Sequence, residues 1–98
     1  MKLEFHPEAE RELIEAAVRY ELLVPGLGGR FGEEVRRGAE LLLERPEIGR
    51  PVDPDLRQFV LDRFPFTLIY SLSPEAVRIL AISHHRRRPG YWRSRVPS

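Results

Sequence analysis

At 98 residues, with 16 Lys and Arg against 15 Asp and Glu, the chain has room for one small domain, residues 1–98, that buries roughly 65% of its unfolded surface without covalent staples. With no cysteine it has no disulfide framework, thiol nucleophile or thiolate metal site, and its N-terminus lacks a basic-plus-apolar leader, so a reducing, cytoplasmic setting is expected. Apolar runs such as Phe66 to Tyr70 fall far short of the roughly 20 residues that cross a bilayer, so no membrane partner is expected.

Lys2 to His6 alternates polar and apolar and predicts a short strand. Pro7 suits the first turn of a helix, Glu8 and Glu10 complement its positive end, and His6 falls at the N-cap. Ala9, Leu13, Ala17 and Tyr20 recur at spacings of four, four and three, Ile14 and Val18 widen the stripe, and Glu12, Glu15 and Arg19 face elsewhere. That pattern predicts an amphipathic helix over residues 7–23.

Val24 to Gly29 breaks it, and a second helical pattern runs through Phe31, Val35, Ala39 and Leu42 to end before Pro46. The two helices are expected to form an antiparallel hairpin. Gly49 to Asp55 reads as a turn-rich connector. Three strand patterns follow, Arg57 to Leu61, Phe66 to Leu72 and Val77 to Ser83, joined by connections short enough for hairpins.

The predicted fold is therefore α+β: an N-terminal strand, an antiparallel helical hairpin and a three-stranded antiparallel meander, forming one small sheet with helices on one face and the other face at least partly free. The first strand is placed beside the last, which would make Ile79 to Ile82 an interior strand and explain why it is apolar on both faces.

Charge is distributed unevenly. Residues 1–47 hold seven bases and eleven acids, residues 48–98 nine bases and four acids, and fifteen of the sixteen bases are arginine. From Arg86 to Ser98 there are five arginines, no acids and two aromatic rings, a composition suited to gripping an anionic or flat partner surface. Pro89-Gly90-Tyr91-Trp92 is a stiff turn bearing rings, and Tyr91 and Trp92 are expected both to fold back as a lid and to offer contact surface. The adjacent His84 and His85 point to opposite faces of a strand, one ring against the helix layer and one solvated. They cannot chelate one ion together, so neither metal nor cofactor is expected.

In this order and spacing, Phe5-His6-Pro7-Glu8-Ala9, Gly28-Gly29-Arg30-Phe31, Pro46 with Gly49-Arg50-Pro51-Val52, Arg57 to Leu61 and Phe66 to Tyr70 as paired strands, and Ile79 to His84 followed by Arg88-Pro89-Gly90-Tyr91-Trp92 resemble the RelE/ParE superfamily of type II toxin–antitoxin toxins. Within it the likeness is to the ParE-like, plasmid-stabilisation branch, and it covers nearly the whole chain. The resemblance implies a compact toxin silenced by a partly disordered cognate antitoxin that wraps it. ParE-like members poison DNA gyrase, whereas RelE-like members cut messenger RNA on the ribosome, and one fold carries both activities.

On the ParE-like reading no catalytic residue is expected. Arg86, Arg87, Arg88, Tyr91 and Trp92 would bind gyrase, and either Trp92→Ala or removal of residues 86–98 would abolish toxicity while the fold survives. Ile14, Val18 and Leu22 would receive an amphipathic antitoxin helix. On the RelE-like reading, metal-free RNA cleavage needs an acid, a base and cations on the phosphate, with His84, Arg88 and Tyr91 as candidates and Arg57 or Arg63 on phosphate. RNA-cutting relatives line the sheet with several basic residues, often lysines, and here the C-terminal strands offer only Arg57, Arg63 and Arg78. An inactive relative that only partners the antitoxin is the third alternative. A net charge of +1 argues against direct nucleic-acid binding, and a dimer or a toxin–antitoxin hetero-oligomer is compatible with all three.

Overall fold

The computed structural model describes residues 1–96; Pro97 and Ser98, the end of the expected working tail, lie outside the described residues. The elements are β1 (Lys2–Phe5), α1 (Pro7–Leu23), α2 (Leu27–Glu44), β2 (Arg50–Asp53), β3 (Leu56–Val60), β4 (Phe66–Leu72) and β5 (Ala76–His84), followed by a 3-10 turn at Arg93–Arg95. The class is α+β, with one mixed sheet of five strands in the order β1-β5-β4-β3-β2. β1 runs parallel to β5 and the other neighbours are antiparallel.

Two parts of the expected sheet need correction. The connector Gly49 to Asp55 supplies a strand, β2, so four antiparallel strands replace the three-stranded meander. Pro51 and Pro54 made this stretch look like pure turn, but proline is tolerated on an edge strand, where no outer neighbour needs its missing N–H. The second sheet face is also not free. It carries its own core of Leu56, Ile69, Leu80, Ala81 and Trp92, against which Val52, Tyr91 and Val96 pack.

His6 caps α1, its Nδ1 accepting the Glu8 N–H at 3.0 Å, and Pro7 opens the helix. Where α1 ends, the Glu21 carboxylate accepts the N–H groups of Gly26 and Gly28 and so serves donors at the start of α2 that no intrahelical carbonyl reaches. A side chain at position 28 would strike the Ala17 carbonyl, so glycine is what lets the helices meet this closely. Their apolar faces, with Phe31, Val35 and Leu42 at the centre, close over Leu68, Tyr70, Val77, Ile79 and Ile82 of the sheet.

An irregularity in β5 sets up everything that follows. Tyr70 pairs with Ile79 and Ile69 with Ala81, leaving Leu80 as an extra residue, a β-bulge that shifts the in–out alternation by one. Leu80 and Ala81 therefore both face the second core, while Ile79 and Ile82 both face the helices. The bulge also lies where β5 loses a neighbour: His6 N–H donates to the Ile79 carbonyl at 2.8 Å and the chain then leaves β1 for the helix.

Candidate functional site

Past Ile79, the edge of β5 is met by side chains instead of a strand. Glu12 of α1 accepts the Ile82 N–H at 2.9 Å, and Arg95 donates to the Leu80 carbonyl at 3.1 Å. The same two side chains bond each other twice, at 2.9 and 3.0 Å, and each is only 12% exposed. Tyr91 completes the group by donating its hydroxyl to Glu12 Oε2 at 2.6 Å. Burial, followed by the hydrogen bond to Glu12, pushes the Tyr91 phenol up to about 12. The hydrogen bond to Glu12 raises Arg95 above its ordinary value. Glu12 therefore latches the C-terminal segment to the helix layer by three hydrogen bonds and holds β5 by a fourth.

This latch holds one side of the Arg86–Gly90 turn and β5 holds the other. His85 N–H donates to the Pro65 carbonyl, Arg87 N–H to the His84 carbonyl, and Tyr91 N–H to the Arg88 carbonyl. Gly90 takes φ of 77°, a left-handed conformation that other residues enter only at a cost. The Arg87 guanidinium lies 3.8 Å from the Tyr91 ring centroid, a cation–π contact that orders it over the latched ring. Arg86, Arg87 and Arg88 are all exposed.

His84 stands at the end of β5 with its ring edge-on to Phe66, centroids 4.9 Å apart, while His85 is exposed beside Thr67, with Nε2 3.1 Å from Oγ1. The sequence expectation of one tucked ring and one solvated ring matches this geometry. Nδ1 of His84 accepts the Arg86 N–H at 3.0 Å, which leaves the proton of the neutral ring on Nε2. Desolvation, then the cationic neighbours Arg86, His85 and Arg19, hold its pKa below the ordinary 6.5. A depressed histidine pKa favours the folded state fully above pH 6.5, and that contribution is lost as pH falls through the folded value. In an NMR titration His84 should titrate below 6.5 with the Arg86 amide shifting in step; a midpoint at or above 6.5 would contradict this account.

Between α1 and the end of β5 lies a cleft of about 360 Å³ lined by Glu12, Glu15, Ala16, Arg19, Phe66, Ile82, His84, Arg86 and Arg87. A smaller hollow of about 120 Å³ continues it past Arg19, Tyr20 and Leu23. Along the outer side of α1, Ile14, Val18 and Leu22 are exposed, as are Leu23 and Val24, an apolar strip beyond what the fold itself covers.

The other sequence candidates lie in different places. Trp92, expected at the contact surface, is 5% exposed and belongs to the second core, so only its lid role matches. Arg57 donates to the carbonyls of Glu47 and Gly49 and clamps the turn before β2. Arg63 lines a separate groove with Arg30, Arg37 and Phe64. His84, Arg57 and Arg63 are thus not gathered round one point, and the Tyr91 hydroxyl is committed to Glu12. Among the described residues no group of three or more His, Cys, Asp or Glu is placed to hold a metal ion, and no helix is long and apolar enough to cross a membrane.

Sequence reasoning missed Glu12 and Arg95, which lie 83 positions apart. The helical pattern put Glu12 off the apolar stripe, with no partner foreseen for it. One signal was present: it follows Ala9 by three and precedes Ala16 by four, and both alanines are buried, so the acid borders the buried face.

Residues 3–89 match the family described as ParE toxin of type II toxin-antitoxin system, parDE. The chain belongs to this family, whose toxins pair with a cognate antitoxin in a type II module. Two solved structures share its fold. The chromosomal ParDE TA system from P. aeruginosa superposes with a TM-score of 0.75 at 20% identity over 86% of this chain and 95% of that one. The isolated E. coli RelE toxin superposes with a TM-score of 0.67 at 20% identity over 95% of this chain and 93% of that one. No curated protein sequence matches the chain.

Proposed function

We propose that the protein is a toxin that inhibits DNA gyrase by binding it through the Arg86–Arg88 turn, and that an antitoxin seated on Ile14, Val18 and Leu22 neutralises it. The observation that carries this reading is a turn of three exposed arginines fixed on both flanks, by β5 and by the Glu12 latch. A turn whose backbone is already held, with the Arg87 guanidinium stacked on Tyr91, meets a carboxylate surface with less entropy loss than a loose tail. The tyrosine beside them serves as a platform for Arg87, and no proton transfer is asked of it.

Messenger cleavage on the ribosome is the second reading, favoured by one observation: His84 opens on a cleft that also holds Arg19, Arg86 and Arg87. Against it, the Nδ1 that would take up a proton already accepts the Arg86 N–H. Purified toxin is expected to block gyrase supercoiling at limiting concentration and to leave ribosome-bound messenger intact. The reverse pattern would replace the first reading with the second.

A further inference from the structure

Three guanidiniums line the cleft between α1 and the end of β5, and one of them lies outside the arginine turn: Arg86 and Arg87 come from the turn, Arg19 from the helix. Among the described residues none of the three forms an ion pair. Arg87 is stacked on Tyr91, but a stacked guanidinium uses its flat face and keeps the N–H edge that binds oxyanions. His84, neutral with its proton on Nε2 because Nδ1 accepts the Arg86 N–H, adds a further donor. Desolvation is the larger cause of its lowered pKa, and the cations Arg86, His85 and Arg19 push in the same direction, as an excess of positive charge does. Of the two acids in the walls, Glu12 is consumed by Arg95, Tyr91 and the Ile82 N–H. Glu15 alone stands against three guanidiniums.

An oxyanion fits such a place, and the walls distinguish its source. A phosphodiester strand carries its negative charges in series, so it sets several of them near Glu15 and offers that carboxylate no cation. A polypeptide brings one carboxylate on a short aliphatic stem, which suits the apolar lining of Ala16, Phe66 and Ile82, and it has N–H groups or a basic side chain for Glu15. We propose that the cleft receives an aspartate or glutamate side chain of gyrase, held between Arg19 of α1 and Arg86 of the turn. This rests on the gyrase reading and extends it, because the target surface then crosses from the turn to the helix layer and Arg19 is a recognition residue in its own right. Glu12 ties α1 to β5 through the Ile82 N–H, so both walls are carried on one frame. The incoming carboxylate meets a gap that is already formed.

The test compares gyrase binding to wild-type toxin, Arg19→Lys, Arg19→Gln and Arg19→Glu, with thermal melts alongside. Arg19 is exposed, so all four proteins are expected to melt alike. Arg19→Glu is expected to weaken gyrase binding by about a hundredfold and Arg19→Gln by about tenfold, while Arg19→Lys recovers only part, since an ammonium cannot make two parallel N–H bonds to one carboxylate. Undiminished binding by a folded Arg19→Glu protein overturns the assignment. A second arm needs no gyrase. In an NMR titration, malonate, a dicarboxylate small enough for a cleft of about 360 Å³, is expected to shift the His84 and Arg86 signals of wild type and not those of Arg19→Glu. Chloride at the same ionic strength should leave them in place. Malonate without effect, or matched by chloride, rejects the oxyanion site. If malonate shifts these signals but wild-type toxin binds no gyrase, the gyrase reading fails and the oxyanion site stands without it. A short RNA strand that displaces malonate at lower concentration than an acidic peptide does would make phosphate the ligand and reject the protein carboxylate.

Discussion

Replacing Trp92 by alanine will destabilise the domain by about 3–5 kcal/mol, the usual cost of emptying a large aromatic site in a core. Trp92 fills the centre of the second core, where Leu56, Ile69, Leu80 and Ala81 meet it from β3, β4 and β5. Its carbonyl accepts the Arg95 N–H at 2.9 Å, so the ring also seats the turn that carries the latch arginine. For a domain of this size each kcal/mol shifts the melting temperature by roughly 4–8 °C, and a fall of more than about 12 °C is expected in a thermal scan. As the only tryptophan, it reports on itself: its native emission should be that of a buried indole. A Trp92→Ala protein that melts like wild type would mean that the tail does not pack on the sheet. Loss of toxicity in that variant would follow from unfolding, and it therefore says nothing about contact with a target.

Removing the Glu12 side chain comes next in size. Glu12→Ala strands Arg95, 12% exposed, together with the Tyr91 hydroxyl and the Ile82 N–H. Breaking a fully buried pair by deleting one partner typically costs about 3–5 kcal/mol, and for this partly buried pair a cost of about 2–3 kcal/mol is expected. The double variant Glu12→Ala/Arg95→Leu should be less damaged than Glu12→Ala alone, because the unpaired charge leaves with its carboxylate. Denaturant melts of the two singles and the double form a cycle whose coupling term measures the pair. A strictly additive result would show that Glu12 and Arg95 act independently and that no latch exists.

Much of the fold was legible in the sequence because its cues are local. Pro7 and the spacing of Ala9, Leu13, Ala17 and Tyr20 mark α1, and the apolar run at Ile79 to Ile82 marks β5; only its part up to Ile79 lies between β1 and β4, and beyond that its burial comes from the two cores instead of a second strand neighbour. The bulge at Leu80 was not legible, since a run apolar at every position carries no record of where alternation slips. β2 was hidden by Pro51 within it and Pro54 just after it. The arginine turn was visible as composition, but its neighbours were not: Trp92 reads equally as lid or contact until the second core is known. Arg57 looks free until the carbonyls of Glu47 and Gly49 are placed beside it. Glu12 is the clearest case, an acid whose partners arrive from Tyr91 and Arg95 at the far end of the chain.

Central to the proposed function is that a held turn offers the exposed Arg86, Arg87 and Arg88 as a docking surface. The most direct measurement is binding of purified gyrase to wild-type toxin and to Arg86→Ala/Arg87→Ala/Arg88→Ala, with thermal melts run alongside. The account predicts that the triple variant melts close to wild type, since these side chains are exposed and exposed substitutions typically shift stability by within about 0.5 kcal/mol, yet fails to bind gyrase or block supercoiling. Undiminished gyrase binding by a folded triple variant would contradict it.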